Sequence, residues 1–141
     1  MTEKTMLLLT EQEVKEYGYR LGQEAAAGQV IALTGDLGAG KTTLTGAIAR
    51  GLGIGETITS PTFTIVKEYR SGRLPLFHFD VYRIGDVEEM YELGYEEYFY
   101  GDGLCVVEWA DLIEELIPEN AMRISIAYGA TEEERIYTCI Y

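Results

Sequence analysis

The amino-acid sequence predicts an α/β domain of three layers, in which helices cover a mixed, mostly parallel central sheet that antiparallel hairpins extend. Three observations support this prediction. Short apolar runs alternate with segments of helical periodicity, a glycine-rich turn connects one such run to a helix, and two pairs of strand-like segments are each separated by a short turn. The 141 residues contain no repeat and no Pro- or Ser-rich linker, so we expect a single domain over residues 1–141.

The first elements are a short strand and a capped helix. The run Met-Leu-Leu-Leu at residues 6–9 predicts the strand. Thr10 and Glu13 have capping-box spacing, and Gly28 is expected to end the helix that they begin. One face of this helix carries apolar side chains at helical spacing, namely Val14, Tyr17, Leu21 and Ala25.

A second strand and helix surround the glycine-rich turn, and a hairpin follows them. Residues 30–33 are expected to form a buried strand, and residues 42 to about 52 the helix. Residues 64–69 and 74–80 have the character of two strands joined by a Ser-Gly turn, which predicts an antiparallel hairpin.

A short helix and another buried strand come next. Asp86 and Glu89 are placed to cap the helix, whose apolar residues are Val87, Met90 and Tyr91. Residues 104–107 are apolar throughout, which indicates a strand buried on both faces.

The chain is expected to close with one more helix and a second hairpin. Apolar residues at helical spacing predict the helix, which Pro118 ends; they are Trp109, Leu112, Ile113, Leu116 and Ile117. Residues 122–128 and 135–141 alternate between apolar and polar side chains, which predicts the two strands of the hairpin.

A phosphate-binding motif occupies residues 35–42. The stretch Gly-Asp-Leu-Gly-Ala-Gly-Lys-Thr matches G-x-x-x-x-G-K-[ST] in full, between a predicted strand and a predicted helix. Glycines allow successive backbone N–H groups to point at a phosphate, a lysine supplies positive charge, and a threonine hydroxyl binds Mg²⁺. The motif predicts a P-loop NTPase-like domain whose nucleotide contacts are Leu37, Gly38, Ala39, Gly40, Lys41, Thr42 and Thr43, with Thr42 also a metal ligand.

The sequence favours ATP over GTP as the nucleotide. GTPases of this class recognise guanine through an Asn-Lys-x-Asp segment. The one asparagine of the chain, Asn120, is followed by Ala-Met-Arg. We therefore expect ATP or ADP, with Mg²⁺, as the cofactor.

Two carboxylates stand where hydrolysis needs them. Glu108 follows the buried strand at residues 104–107, and Asp80 ends the preceding strand, so both are expected beside the phosphate turn as catalytic residues, Glu108 also as a metal ligand. Glu108 has an alternative role as a cap of the next helix. His78 lies on the same strand face as Asp80 and is either catalytic or packed and hydrogen-bonded. Trp109 either begins the core face of a helix or stacks against the base.

A loop rich in hydroxyl groups lies between the phosphate turn and Asp80. Thr59, Ser60 and Thr62 surround Pro61. In P-loop proteins the segment after the first helix contains a switch loop that senses the γ-phosphate. The alternative is a Ser/Thr-rich turn that opens a strand.

The charge of the chain argues against direct binding to nucleic acid. Eleven basic and 24 acidic residues give a net charge of −13. The acidic second half is either a solvated surface or a face for a basic partner, whereas a basic cluster precedes it, formed by Lys67, Arg70, Arg73 and Arg83. No signal peptide or membrane span is recognisable, and two cysteines without metal-ligand spacing, Cys105 and Cys139, favour a reducing compartment; we expect a cytoplasmic protein without a membrane partner.

Five stretches together resemble the TsaE family, the small P-loop ATPases of bacterial tRNA threonylcarbamoyladenosine synthesis. They are GDLGAGKTTL, SPTF, HFDVYR, LGYEEYF and VVEW followed by a proline, and they span roughly residues 28–118. The resemblance implies a P-loop ATPase that works with two partner proteins, which transfer a threonylcarbamoyl group to adenosine 37 of ANN-decoding tRNAs. In this family the ATPase does not itself modify the base; its nucleotide cycle resets or activates the partner complex, and tRNA is reached only indirectly.

The resemblance also implies residue roles. Lys41 and Thr42 hold phosphate and Mg²⁺, Glu108 serves the metal, and Asp80 assists hydrolysis. Two further candidates beside the nucleotide are Thr10, near the adenine, and Arg135. Two other functions stay open: a small nucleotide kinase or phosphotransferase, which needs an arginine-bearing lid, and an interaction module that binds nucleotide without turnover.

Overall fold

A seven-stranded sheet runs through the structure, a computed structural model that describes residues 2–36, 38–61 and 64–141. In chain order its strands are β1 (Glu3–Leu8), β2 (Val30–Gly35), β3 (Val66–Tyr69), β4 (Leu76–Asp80), β5 (Leu104–Glu108), β6 (Met122–Tyr128) and β7 (Arg135–Ile140). The order across the sheet is β1-β7-β6-β2-β5-β4-β3.

The sheet is parallel at its centre and antiparallel at both edges. Strand β2 pairs in parallel with β5 and β6, and β5 pairs in parallel with β4. At one edge β3 is antiparallel to β4; at the other, β7 is antiparallel to β6, and β1 to β7. The predicted mixed sheet and both hairpins are therefore confirmed.

Helices cover the two faces of this sheet. The described helices are α1 (Glu11–Glu24), α2 (Lys41–Gly51), α3 (Glu88–Leu93), α4 (Tyr95–Phe99) and a 3-10 helix (Ala110–Leu116). One apolar core joins α1 and α2 to one side of the sheet, and a second core joins α3, α4 and the 3-10 helix to the other. Three layers result, as predicted. Within the described ranges, no helix is long and apolar enough to cross a membrane.

Helix α1 begins where the sequence predicts and ends before the predicted residue, Gly28. The Glu13 backbone N–H donates to the Thr10 hydroxyl at 3.2 Å, and the Leu9 N–H donates to the Glu13 carboxylate at 2.8 Å, which is a capping box. The predicted end at Gly28 is wrong, because the chain is already extended at Ala25. The Arg73 guanidinium satisfies carbonyl groups at this end, those of Gly22, Gln23 and Ala25, so no glycine is needed there.

The segment after β5 is a 3-10 helix instead of the predicted helix with α-helical spacing over residues 109–117. Ala110, Ile113 and Leu116 are its buried residues, and their spacing of three fits three residues per turn. The backbone leaves helical geometry at Ile113, and Trp109 precedes the helix in a left-handed conformation with φ of 62°. Helix α4 was not predicted; its buried residues are only Tyr95 and Phe99.

Helices α1 and α2 cross at very short range. A Cβ atom added at Gly22 of α1 would lie 2.1 Å from the carbonyl oxygen of Ile48, and one added at Gly51 of α2 would lie 2.1 Å from that of Tyr19. These contacts join backbone to backbone, so no side chain can rotate away. The close crossing sets the position of α2, and α2 carries the phosphate turn at its N-terminus.

We expect Gly22→Ala to lower the free energy of unfolding by about 1–3 kcal/mol, because it overpacks this crossing. Gly46→Ala is the matched control. Position 46 lies within α2 with nothing within 4 Å of an added Cβ, so alanine there is expected to raise the free energy of unfolding by about 0.5–1 kcal/mol. Chemical denaturation measures both values. Equal effects of the two substitutions would contradict the proposed crossing.

Candidate functional site

The candidate site lies where three parallel strands end at the same edge of the sheet. In the register of the sheet, Leu33 of β2 and Asp80 of β4 each stand beside Glu108 of β5. Strand β2 then leads through the glycine-rich turn into α2. The carboxyl ends of parallel strands therefore bring Asp80 and Glu108 to the phosphate turn, as the sequence predicted.

A cavity of about 270 Å³ opens between this turn and the strand ends. Gly40, at the N-cap of α2, has φ of 107°, a conformation in which a side chain would be strained. Of the predicted site residues, the cavity is lined by Gly38, Gly40, Lys41, Thr42, Thr43, Asp80, Glu108 and Trp109. The predicted contact at Leu37 lies outside the described residues.

The Lys41 ammonium group is held inside the turn. Its side chain is buried, and Nζ donates to the carbonyl oxygens of Gly35 and Asp36, both at 2.9 Å. Nζ also lies 4.0 Å from the centroid of the Trp109 ring. Burial lowers the pKa of Lys41, and nearby carboxylates, Glu108 foremost, oppose that shift. These contacts hold the cation where a phosphate on the turn would meet it.

A network of hydrogen bonds connects α2 to β5. The Thr42 hydroxyl lies 3.2 and 3.3 Å from the two Glu108 carboxylate oxygens and 3.0 Å from the Ser60 hydroxyl. Glu108 is 3% exposed, and its Oε2 is also hydrogen-bonded to Nε2 of His78. The alternative role of Glu108 as a cap of the next helix is therefore wrong, because its carboxylate contacts α2 and β4 instead.

Asp80 is the more exposed of the two carboxylates. The Tyr82 backbone N–H donates to its Oδ1 at 3.0 Å. Partial burial raises the pKa of Asp80, with a further contribution from the Glu108 charge, while the Tyr82 hydrogen bond and the positive charge of Lys41 oppose the shift. A perturbed carboxyl group in a cleft beside a phosphate turn marks a candidate functional group.

The donor set of the cavity fits Mg²⁺. The Thr42 hydroxyl lies within 3.3 Å of the Ser60 hydroxyl and of both carboxylate oxygens of Glu108. All of these ligands are oxygen atoms, and Mg²⁺ prefers oxygen ligands together with water and phosphate. A Mg²⁺ ion between the turn and the strand end would find oxygen ligands in Thr42 and Glu108.

A second cavity, of about 470 Å³, lies on the other side of the phosphate turn. Arg135 at the start of β7 donates from Nε to the Ala39 carbonyl oxygen at 3.0 Å, and its guanidinium carbon lies 4.8 Å from the centroid of the Tyr128 ring. The structure thus places Arg135 directly against the turn. Thr10 instead caps α1, and its neighbour Glu11 lines the cavity.

Tyr128 and Glu11 are two of the six residues of this cavity that the sequence analysis missed; the others are Val14, Glu132, Glu133 and Tyr137. Tyr128 pairs with Arg135 in the register of the β6-β7 hairpin, so the predicted hairpin contained the signal that the two lie side by side. The position of Glu11 depends on how α1 packs, which no local pattern in the sequence reveals.

Trp109 and the loop before β3 border the first cavity. The Trp109 ring lies 4.6 Å from the Tyr82 ring, centroid to centroid. Trp109 stands at the N-cap of the 3-10 helix and is partly buried against the same core as that helix. In the loop, the Ser60 hydroxyl contacts Thr42, and the Thr59 hydroxyl accepts a hydrogen bond from Lys67 at 3.0 Å. The loop therefore touches the predicted metal ligand; Thr62 lies outside the described residues.

Comparisons with known proteins agree on one family. The family model described as "Threonylcarbamoyl adenosine biosynthesis protein TsaE" matches residues 8–136. The tRNA threonylcarbamoyladenosine biosynthesis protein TsaE of Bacillus subtilis is 54% identical over 79% of this chain and 70% of its own length, and that of Treponema pallidum is 43% identical over 82% and 84%. The crystal structure of Bacillus subtilis YdiB is similar with a TM-score of 0.79 and 41% identity, covering 98% of this chain and 84% of that one.

The raised pKa of Asp80 is expected to affect the free energy of unfolding. The carboxyl group of the unfolded chain ionises at a lower pH than that of the folded protein, so ionised Asp80 destabilises the fold at pH values above its folded-state pKa. Asp80→Asn removes this cost and keeps an oxygen that accepts from the Tyr82 N–H. We expect the substitution to raise the free energy of unfolding at pH 7, and the gain to shrink as the pH falls toward the unfolded-state pKa of about 3.9. Denaturation at several pH values measures it; a destabilised variant at pH 7 would contradict the assignment.

Proposed function

Because the chain belongs to the TsaE family of threonylcarbamoyl adenosine biosynthesis proteins, we propose that it binds ATP with Mg²⁺ and hydrolyses it slowly to control two partner proteins. Those partners carry out the threonylcarbamoyl modification of adenosine 37 in ANN-decoding tRNAs. The protein serves the modification through its nucleotide cycle and does not act on the tRNA base.

One observation carries the nucleotide part of this proposal. The Lys41 ammonium group, the Thr42 hydroxyl and the carboxylates of Asp80 and Glu108 converge on one cavity at the end of three parallel strands. Phosphoryl transfer to water needs positive charge, a bound cation and a group that orients the nucleophile, and little further chemistry. This cavity offers a residue for each of these needs.

Each side chain has a distinct task in the proposed reaction. The backbone N–H groups of the turn and the Lys41 ammonium group hold the phosphates, and Lys41 exchanges its bonds to the loop carbonyls for phosphate oxygens. Thr42 and Glu108 hold Mg²⁺, which when bound neutralises charge on the phosphate oxygens. Asp80 accepts a hydrogen bond from the attacking water and so orients it, because its carboxylate is partly exposed whereas that of Glu108 is buried.

The adenosine part of ATP is expected in the cavity of about 470 Å³ beside the turn. Arg135 and Tyr128 already pack there as a cation against an aromatic ring, and a base can add to such a stack. Thr43 lines both cavities and so stands between the phosphates and the adenosine.

The contacts of three of the four residues of the basic cluster argue against a nucleotide kinase; the fourth, Arg83, is exposed and lines a cavity with Asp80. A kinase needs arginines free to close over the phosphates. Arg73 is committed to carbonyl groups at the end of α1, Arg70 is paired with Glu68 at 2.9 Å, and Lys67 donates to Thr59. The presence of Asp80 and Glu108 at the phosphate turn argues in turn against a binding module without turnover.

The loop from Thr59 to Pro61 is the proposed route from nucleotide to partner. Ser60 contacts Thr42, so a metal ion and a γ-phosphate at Thr42 change what the Ser60 hydroxyl can bind. Thr59 transmits this change to Lys67 on β3, at the edge of the sheet. The excess of acidic residues, with a net charge of −13, opposes tight binding of tRNA by this chain alone.

We expect the purified protein to turn over ATP slowly alone and faster when both partner proteins are added. Lys41→Ala is expected to weaken ATP binding about 10- to 100-fold and to abolish the stimulation, because it removes a charged contact to phosphate. Lys4→Ala, which removes an exposed lysine on β1, is the matched control and should behave like the parent protein. A phosphate-release assay and a nucleotide titration measure both quantities.

Two results would contradict the proposal. Unchanged ATP binding by Lys41→Ala would refute the role of the phosphate turn. An ATP turnover that stays the same when the partner proteins are added would refute the proposed control of those partners. Submicromolar and salt-resistant tRNA binding by this chain alone in a filter assay would refute it as well.

A further inference from the structure

His78 is a buried polar residue to which the proposed reaction assigns no step. It is the one histidine of the chain, it lies on β4, and its side chain is fully buried. Its Nε2 is hydrogen-bonded to the Glu108 carboxylate, and its Nδ1 has no hydrogen-bond partner among the described residues. Burying an imidazole with one nitrogen unpaired costs free energy that an apolar side chain at this position would not cost.

The register between β4 and β5 places the His78 ring within reach of the Glu108 carboxylate. In the parallel pairing of β4 with β5, His78 stands beside Val106 and Asp80 beside Glu108. Side chains two residues apart on a strand share a face, so His78, Asp80 and Glu108 all point to the side of the sheet that α2 covers. The His78 imidazole contacts the Glu108 carboxylate from the neighbouring strand β4, whereas the Thr42 hydroxyl contacts it from helix α2.

His78 and Thr42 together fix the Glu108 carboxylate. The Thr42 hydroxyl lies almost equally far from the two carboxylate oxygens, at 3.2 and 3.3 Å, and it also contacts Ser60. It therefore cannot by itself select one rotation of the carboxylate group. The hydrogen bond from His78 goes to Oε2 alone and makes that selection.

The hydrogen-bond pattern assigns the proton of the ring to Nε2. A proton on Nδ1 would leave a buried donor unpaired and would turn the Nε2 lone pair toward a carboxylate oxygen, and both are unfavourable. With the proton on Nε2, the ring donates to Glu108, and only an acceptor remains unpaired.

We propose that His78 is a positioning residue for Glu108. By donating from Nε2 it holds the carboxylate at the Thr42 hydroxyl and thereby sets the affinity of the site for the Mg²⁺ ion that accompanies the nucleotide. The inference rests on the proposed function, because it concerns the metal of that same site. Groups that orient a metal ligand in this way commonly change metal affinity 10- to 100-fold when they are replaced.

Two amide substitutions separate positioning from mere stability. Glutamine at position 78 can place its amide nitrogen near the position of Nε2, whereas asparagine, shorter by one methylene, reaches only about as far as Nδ1. Both are polar and buried, so their effects on folding are similar. A purely structural role predicts equal Mg²⁺ dependence in the two variants, whereas positioning predicts that only glutamine restores it.

The experiment measures ADP binding by the full chain as a function of Mg²⁺ concentration, which needs no turnover. We expect His78→Asn to raise the Mg²⁺ concentration at half-maximal effect at least tenfold and His78→Gln to raise it less than threefold, with unchanged ADP affinity in EDTA. Equal Mg²⁺ dependence of the two variants overturns the inference. Parent protein that binds ADP with no Mg²⁺ dependence, or does not bind ADP, would instead overturn the proposed function.

A second measurement needs no variant of His78. With one histidine in the chain, nitrogen NMR of the ring reports His78 directly. We expect a proton on Nε2 whose signal shifts in Glu108→Gln. A neutral ring that carries its proton on Nδ1 overturns the inference, even if both substitutions at position 78 prevent folding.

Discussion

The parallel pairing of β2, β5 and β4 is the constraint on which the candidate site depends. Because the three strands run in one direction and end together, the turn after Gly35, the carboxylate of Glu108 and that of Asp80 meet at one edge of the sheet. The close crossing of α1 with α2 then fixes the helix that begins at Lys41. A slip of one residue in the register would turn Asp80 and Glu108 to the opposite face, away from α2.

The site keeps charged groups buried before any nucleotide enters. Lys41 is surrounded by the carbonyl groups of its own loop, and Glu108 is satisfied by Thr42 and His78, so neither group is buried without partners. These partners are weaker than a phosphate or a metal ion would be. The arrangement therefore holds the side chains in place and still allows each to exchange its contacts when a nucleotide arrives.

The sequence predicted the centre of the site better than its periphery. The phosphate motif, Asp80 and Glu108 are marked by local patterns, namely glycine spacing and acids at the ends of apolar runs. The position of Arg135 against Ala39 depends on the β6-β7 hairpin folding back on the sheet, which only tertiary structure shows. The 3-10 helix was mistaken for an α-helix because a spacing of three residues occurs in both. Helix α4 was missed because five residues give too little periodicity.

The most direct test of this account is the turnover of Glu108→Ala at saturating ATP and Mg²⁺ in the presence of the two partner proteins. Because Glu108 is proposed to hold the metal at the reacting phosphate, the variant should still bind ATP while its turnover falls about 100-fold or more. An equilibrium titration with ATP and a phosphate-release assay on the same preparation give both values. Turnover at the parental rate would contradict the account and remove Glu108 from the reaction.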